Sequence, residues 1–376
     1  MFCCPRCGNS NSQLIGYLNH KPYCRKCLSF PQKTNPYVAR VPTKDNLALS
    51  YSLTKEQQRV ADALLERYHK HHNAFIHAVC GAGKTEIVYP LIDQALKDGK
   101  RIGFAIPRRD VVIELEHRLK DVFPHRSVAS IYGGHKKITK ADILVLTMHQ
   151  LYAYPQYFDV LIGDEVDAFP FEGDDVLETF FERAVRGMMV MMSATPSSRM
   201  LAKIPSEDHL FLFKRFHGKA IPVPTMMIQS RMKQKFFLLQ KLRKYHKENK
   251  PCLIFVPTIE QAETLFSFLR FFFPLGACVH SMQKKREMIL QKLKDKKILY
   301  LVTTSILERG ITVAHLQVMI YHADSSFYPA DTLEQICGRV GRKKEATDGD
   351  IFFIAEQKTT AMIKTIERIQ KYNRDL

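Results

Sequence analysis

The chain has 376 residues, 45% of them hydrophobic, which is enough for two or three domains with real cores and excludes a disordered polymer. Lys and Arg outnumber Asp and Glu by 56 to 38, a formal net charge of +18 that predicts a polyanionic partner, either nucleic acid or an anionic membrane surface. No basic leader followed by an apolar segment opens the sequence, and no apolar run approaches the ~18 residues a membrane helix needs, so a reducing cytoplasmic location is expected.

Cys4-Pro5-Arg6-Cys7 and Cys24-Arg25-Lys26-Cys27 are separated by 16 residues. Each C-x-x-C turn aims two thiolates at one tetrahedral ion, so Cys4, Cys7, Cys24 and Cys27 are the expected zinc ligands. Cys3 competes with Cys4 but lacks the two-residue spacing to Cys7. A module of residues 1–32 is too short to hold itself by burial alone, so the metal would supply its folding energy. Between the knuckles, Tyr17, His20, Lys21 and Tyr23 offer faces for bases and phosphates, and a purely structural module fits equally well. Cys80, Cys252, Cys278 and Cys337 sit among apolar or small neighbours and read as core residues. Residues 33–50, punctuated by Pro36 and Pro42, read as a linker.

A first α/β domain is expected over 51–215. Thr54 with Gln57 three residues on forms a capping box, and Val60, Leu64, Leu65 and Tyr68 continue at helical spacing. Gln57 is also placed to read an adenine edge. The stretch Phe75–Glu86 then runs strand, glycine turn, helix start. Ala78, Gly81, Ala82, Gly83, Lys84, Thr85 and Glu86 form the expected phosphate loop, with Ala78 where the usual pattern has its first glycine. Lys84 would reach the β- and γ-phosphates, and the Thr85 hydroxyl would ligate Mg²⁺. The helix is expected to run on to Pro90.

Short apolar runs follow at 101–106, 127–132, 142–147, 160–163 and 188–192, each ending on a polar motif. Continuous rather than alternating apolarity indicates strands buried on both faces, hence a parallel sheet with ligands at its C-terminal edge. Asp164 would hold Mg²⁺, and Glu165 would position and deprotonate an attacking water. Asp167 and 172–175 read either as part of that site or as solvated loop. Ser193-Ala194-Thr195 reads as a coupling element or as a plain turn before Pro196.

The boundary is expected near 215–230, with a second α/β domain over 222–376. A basic amphipathic helix around Lys235–Tyr245 should bury Phe236, Leu239 and Leu242. Strands are expected at 251–256, 277–280, 298–303, 316–321 and 350–353. A helix over 332–340 should carry Gln335 and Arg339, followed by Arg342; two guanidiniums there could neutralise charge developing on a γ-phosphate. Arg108, Arg109, Thr147, His149, Gln150 and Thr304 are the candidate strand grips, all at expected strand ends.

The order Gln57, A-x-x-G-x-G-K-T, D-E-V-D, S-A-T, T-T-S-I-L-E-R-G and Q-I-C-G-R-V-G-R resembles superfamily 2 helicases over both halves. Behind a four-cysteine module, the particular strings A-V-C-G-A-G-K-T-E and D-E-V-D-A-F-P resemble the late competence ComFA family. That resemblance implies two tandem RecA-like domains of parallel sheets flanked by helices, ATP held in the cleft between them, and a nucleic-acid strand lying across both. It implies an ATP-dependent single-stranded DNA translocase of natural transformation, with ATP, Mg²⁺ and Zn²⁺ as cofactors. Lys84, Thr85, Asp164, Glu165, Arg339 and Arg342 carry over as ATPase residues. The implied partners are single-stranded DNA, a ComFC-like protein and the membrane DNA-uptake channel, with a peripheral place at the inner face of the membrane. Thr312 departs from the Asp of many relatives. The alternatives are a DNA repair or replication-restart helicase acting on duplex DNA, an RNA helicase, or a non-enzymatic binding module.

Overall fold

The computed structural model describes residues 2–42, 47–135, 140–283, 286–305 and 313–374. The chain divides into two units: Met1–Ala78 with Gly83–Leu212, and Val79–Ala82 with Phe213–Leu376.

In the first unit a small hairpin comes first, β1 (Ile15–Leu18) paired antiparallel with β2 (Lys21–Cys24). Its two turn residues, Asn19 and His20, both have positive φ, as a twist-matched two-residue hairpin requires. Helix α1 (Lys55–His69) starts on the expected capping box. There follow β3 (Ala74–Ala78), α2 (Lys84–Ile87), α3 (Tyr89–Lys97), β4 (Ile102–Ile106), α4 (Arg109–Val122), β5 (Val128–Ile131), β6 (Ile143–Thr147) and β7 (Phe158–Gly163). The unit closes with α5 (Asp175–Ala184), β8 (Val185–Ser193), α6 (Ser198–Leu201) and β9 (His209–Leu212). The helix after the phosphate loop does not run on to Pro90 as expected. It breaks at Val88, and Pro90 sits in the first turn of α3, where its missing N–H costs nothing.

The seven-stranded sheet has the order β5-β6-β4-β7-β8-β3-β9, every pair parallel. Strands β4, β5 and β6 are buried along their whole length, as their unbroken apolar runs predict. Because all strands point one way, their C-terminal ends share one edge. That edge carries the phosphate loop after β3, Arg108 after β4, Thr147 at the end of β6, Asp164 after β7 and Ser193-Ala194-Thr195 at the end of β8.

The cysteine module and the proline-punctuated segment after it both lie against this unit. The Phe30 ring meets Phe180 edge-on at 4.9 Å and Tyr152 at 5.6 Å. The four buried cysteines belong to the same apolar cluster as Phe180 and Leu151. Downstream, the Asn35 amide donates to the Ala153 carbonyl at 2.7 Å, the Tyr37 ring lies 4.0 Å from the Arg186 guanidinium, and Arg40 pairs with Asp142. Residues 33–42 are therefore fastened along the first unit rather than strung away from it.

The second unit contains β10 (Thr225–Ile228), α7 (Arg231–Lys247), β11 (Cys252–Phe255), α8 (Ile259–Phe272), β12 (Gly276–Val279) and α9 (Arg286–Lys294). It continues with β13 (Tyr300–Thr303), β14 (Gln317–Tyr321), α10 (Ala330–Cys337), β15 (Ile351–Ala355) and α11 (Thr360–Arg374). The sheet order is β10-β15-β14-β11-β13-β12, again with every pair parallel. Two expectations are corrected here. Helix α7 buries Gln234, Phe237, Leu238, Leu242 and Tyr245, and the Phe236 ring is 71% exposed. The inward stripe thus starts one residue later than the sequence reading placed it, and 237, 238, 242 and 245 share a helical face that excludes 236. Helix α10 ends at Cys337, so Gln335 is helical but Arg339 and Arg342 lie beyond its end.

Candidate nucleotide site and cysteine cluster

The phosphate loop begins where β3 leaves the sheet and ends as Lys84 opens α2. Gly83 is left-handed, with φ of 84°, a conformation that L side chains resist. A Cβ on Gly83 would also collide with the side-chain nitrogen of Gln57. The two readings of Gln57 meet in one side chain. Its Oε1 accepts from the Thr54 amide at 3.0 Å, closing the capping box, while its Nε2 end lies over the phosphate loop. The Glu86 carboxylate lies beside Gly83 and accepts from Arg118 of α4 at 2.7 Å.

Asp164 follows β7, and its Oδ1 accepts from the Glu165 amide at 2.8 Å. Burial pushes the Asp164 carboxyl up to about 6; the Lys84 ammonium pulls it down, and the Glu165 charge adds to the rise. The parallel sheet places the two motifs, 80 residues apart in the chain, on one edge. Glu165 has φ of 52°, which turns its backbone sharply out of the strand direction followed by Asp164. Asp167 is fastened to the S-A-T turn rather than left in solvent: its Oδ2 accepts from the Thr195 hydroxyl at 2.7 Å. The Thr195 amide in turn donates to Ser193 Oγ at 3.0 Å, and His77 of β3 bonds the Ala194 carbonyl at 3.1 Å. The S-A-T turn thus ties β3, β8 and the acidic motif together. Of 172–175, Asp174 caps α5 by accepting from the Val176 and Leu177 amides. The oxygen donors, a Thr85 hydroxyl and the Asp164 carboxylate, suit a hard dication such as Mg²⁺.

In the second unit Gln335 and Arg339 are buried, and Arg342 Nε donates to the Gly338 carbonyl at 2.8 Å. The Gly310 end of the T-T-S-I-L-E-R-G segment and Thr312 lie outside the described residues.

The cysteine cluster is closed and compact. Cys4 Sγ lies 3.7 Å from Cys27 Sγ, and Cys7 Sγ lies 3.6 Å from Cys24 Sγ. A tetrahedral site with Zn–S of about 2.3 Å has sulfur–sulfur edges of roughly 3.8 Å, so the cage fits zinc. Cys4 is buried with the other three, whereas Cys3 is exposed and its thiol faces the Gly8 carbonyl, which decides between them. Burial raises the Cys7 thiol to about 11 and raises Cys27 as well, while backbone donors near Cys24 bring it down to about 7 against its own burial.

Among the candidate strand grips, Arg109 opens α4 with its guanidinium 4.7 Å from the Tyr132 ring, and the His135 ring stacks on the same Tyr132 at 4.8 Å. Thr147 and Gln150 are buried, His149 and Thr304 half-buried. Tyr132 and His135 were not singled out by sequence reasoning. An aromatic after a strand carries no signal until the sheet order puts it beside Arg109.

Residues 50–198 match the type III restriction enzyme res subunit family, and residues 234–344 match the helicase conserved C-terminal domain. The competence protein ComFA of Bacillus subtilis is 33% identical over 396 residues, covering 99% of this chain and 86% of that protein. The chain belongs to the ComFA family. ComFA of Streptococcus pneumoniae is 32% identical over 94% of the chain and 86% of its own length. More distantly, the ATP-dependent DNA helicase RecG of S. pneumoniae is 24% identical over 80% of the chain and 48% of RecG. The fold of this ComFA-family chain is that of helicase structures. Dbp5 of S. cerevisiae bound to RNA and ADP BeF3 superposes with a TM-score of 0.63 at 18% identity, covering 86% of this chain and 93% of Dbp5. Lhr of Mycobacterium smegmatis bound to ssDNA and AMP-PNP gives 0.63 at 17% identity, covering 86% and 48%. The protein is thus an ATP-hydrolysing, helicase-class enzyme of the competence family, built as two RecA-like domains with an N-terminal cysteine cluster. Among the described residues no helix is long and apolar enough to cross a membrane.

Proposed function

We propose that this ComFA-family enzyme moves along single-stranded DNA at the expense of ATP and drives that strand into the cell during natural transformation. The observation that carries the reading is that the phosphate loop after β3 and the acidic motif after β7 leave the same C-terminal edge of the first parallel sheet. Lys84 holds the β- and γ-phosphate oxygens, and Gln57 reads the adenine. Thr85 and Asp164 would hold Mg²⁺, which when bound neutralises charge on the phosphates. Glu165 accepts a proton from water as the water oxygen bonds to the γ-phosphorus and the bridging oxygen leaves with ADP. Arg339 and Arg342 act as arginine fingers on the charge that develops in that step, with Gln335 beside them.

Hydrolysis alternates the grip of the two helicase units on the strand, so the chain advances along DNA. Grip comes from Arg108, Arg109, Thr147, His149, Gln150 and Thr304, mainly through phosphates, so it is salt-sensitive and largely blind to sequence. The strongly basic composition supports a polyanionic track. Relatives named ComFA over nearly the whole chain support the competence role, in which a ComFC-like protein and the membrane uptake channel are partners.

The test is phosphate release with no polymer, single-stranded DNA, duplex DNA and RNA, together with displacement of a protein block from single-stranded DNA. Stimulation by single-stranded DNA above the other polymers, with block displacement, supports the reading. Unwinding of forked duplex at a rate matching single-strand movement favours a repair helicase, and stimulation by RNA at least as strong overturns the DNA assignment.

A further inference from the structure

Arg215 is 1% exposed, and among the described residues none of its hydrogen bonds or ion pairs goes to a carboxylate. Its guanidinium faces backbone carbonyls instead. Nε donates to Cys80 O at 3.2 Å, Nη1 to Val340 O at 2.7 Å and Gly341 O at 2.9 Å, and Nη2 to Gly338 O at 3.3 Å. All of these groups belong to the second unit, which includes the phosphate-loop apex Val79–Ala82. Two neighbours of Arg215 repeat the pattern. The Phe216 amide donates to Gly81 O at 3.3 Å, and His217 Nε2 bonds Gly341 O at 2.8 Å. The loop apex and the 338–341 turn are themselves in close contact, because a Cβ on Gly338 would strike the Cys80 side chain.

A buried cation without an anion is costly to the fold. Desolvation, with the nearby Arg342 charge, brings the Arg215 guanidinium down to about 10. Stability alone gives no reason to place it there, since apolar residues could fill the space. What only arginine supplies is a rigid planar fork with five donors, able to hold carbonyls of two separate segments at fixed spacing. One of those segments is the apex that precedes Gly83-Lys84. The other carries Arg339 and leads to Arg342, whose own Nε shares the Gly338 carbonyl with Arg215. Fixing the Cys80 and Gly81 carbonyls also fixes, through planar peptide units, which way the following amides point.

We propose that Arg215 is a positioning residue that makes the phosphate-loop apex and the arginine-bearing 338–342 turn move as one piece, so that nucleotide in the loop sets the arginines for the chemical step. The proposal rests on the nucleotide-site reading above. Arg215 touches no substrate; it acts through Cys80, Gly338, Val340 and Gly341.

The first test is Arg215→Lys in the full chain, which keeps the charge but not the fork. The expected result is an ATP KM within threefold of wild type with kcat down at least tenfold; a kcat within twofold overturns the proposal. The second test is hydrogen exchange of the wild-type protein with ADP, which has no γ-phosphate for Arg339 or Arg342 to reach, and it decides the matter if the variant does not fold. Slowing of at least tenfold at amides of both 79–83 and 338–342 is expected. Slowing at 79–83 alone overturns the latch while leaving the nucleotide site intact. No change at either segment, with nucleotide in excess, overturns the nucleotide-site reading and the latch with it.

Discussion

The side-chain nitrogen of Gln57 lies directly over Gly83, so the first turn of α1 and the phosphate loop are in contact through one amide. The same side chain closes the α1 capping box through its oxygen. The two roles separate by mutation. Thr54→Ala removes only the cap and should cost about 1 kcal/mol in denaturant unfolding, with ATP still preferred over GTP. Gln57→Ala should cost a similar amount and also erase the ATP preference. Steady-state hydrolysis of both nucleotides, beside unfolding curves, checks this; a Gln57→Ala enzyme with unaltered preference would remove Gln57 from the adenine site.

Arg109 rests over the Tyr132 ring at the end of β5, beside His135. If Arg109 contacts a DNA phosphate, Arg109→Ala should weaken binding equally for all sequences. It should also reduce the slope of log affinity against log salt by about 0.7, the share of one phosphate in single-stranded DNA. Fluorescence anisotropy at several salt concentrations reads both, and an unchanged slope would place the strand elsewhere.

Glu334 is buried on α10, and its Oε2 accepts a hydrogen bond from Arg368 Nη1 at 3.2 Å. Burial nevertheless pushes its carboxyl up from 4.5 to about 7, the Arg368 charge opposing the rise. The folded state therefore binds the proton more tightly than the unfolded chain. Glu334's favourable contribution is complete below pH 4.5 and is lost as pH climbs through about 7. Glu334→Gln should flatten the fall in stability between those limits, by at most about 3 kcal/mol, with little effect at pH 4.5. Urea unfolding across that range measures it; a variant whose pH profile parallels wild type would contradict the shift.

The cysteine cluster shares its apolar surroundings with the first unit, through Phe30 against Phe180 and Tyr152. One zinc per chain is expected by metal analysis. Stripping it with a chelator should lower the unfolding temperature of the first unit and leave that of the second unchanged, and Cys7→Ser should do the same without chelator. Calorimetry distinguishes this from a module that folds independently of its neighbour, for which removal would leave the first unit's transition in place.

Much of this was legible in the sequence because the relevant signals are local. Thr54-x-x-Gln57 is a capping-box signature and does cap α1, and the short unbroken apolar run Ile102–Ile106 is a fully buried strand. Asp164 after β7 and Lys84 after β3 fall on one edge once the sheet is known to be parallel. What was missed depends on contacts between distant positions. The stripe of α7 was misphased because Phe236 and Phe237 are adjacent and equally apolar, and only the sheet beneath selects Phe237. Strands β9 and β10 are four residues each and carry no strong pattern. Arg215 looks like one of several basic residues near a boundary, and nothing local says that four carbonyls surround it.

The central claim is that Lys84 binds the triphosphate whose hydrolysis powers the enzyme. The direct measurement is phosphate release by wild type and Lys84→Ala with saturating single-stranded DNA, both shown to be folded. The account predicts loss of at least a hundredfold in rate for the variant, about 3 kcal/mol of transition-state stabilisation. Hydrolysis by Lys84→Ala at the wild-type rate would contradict it.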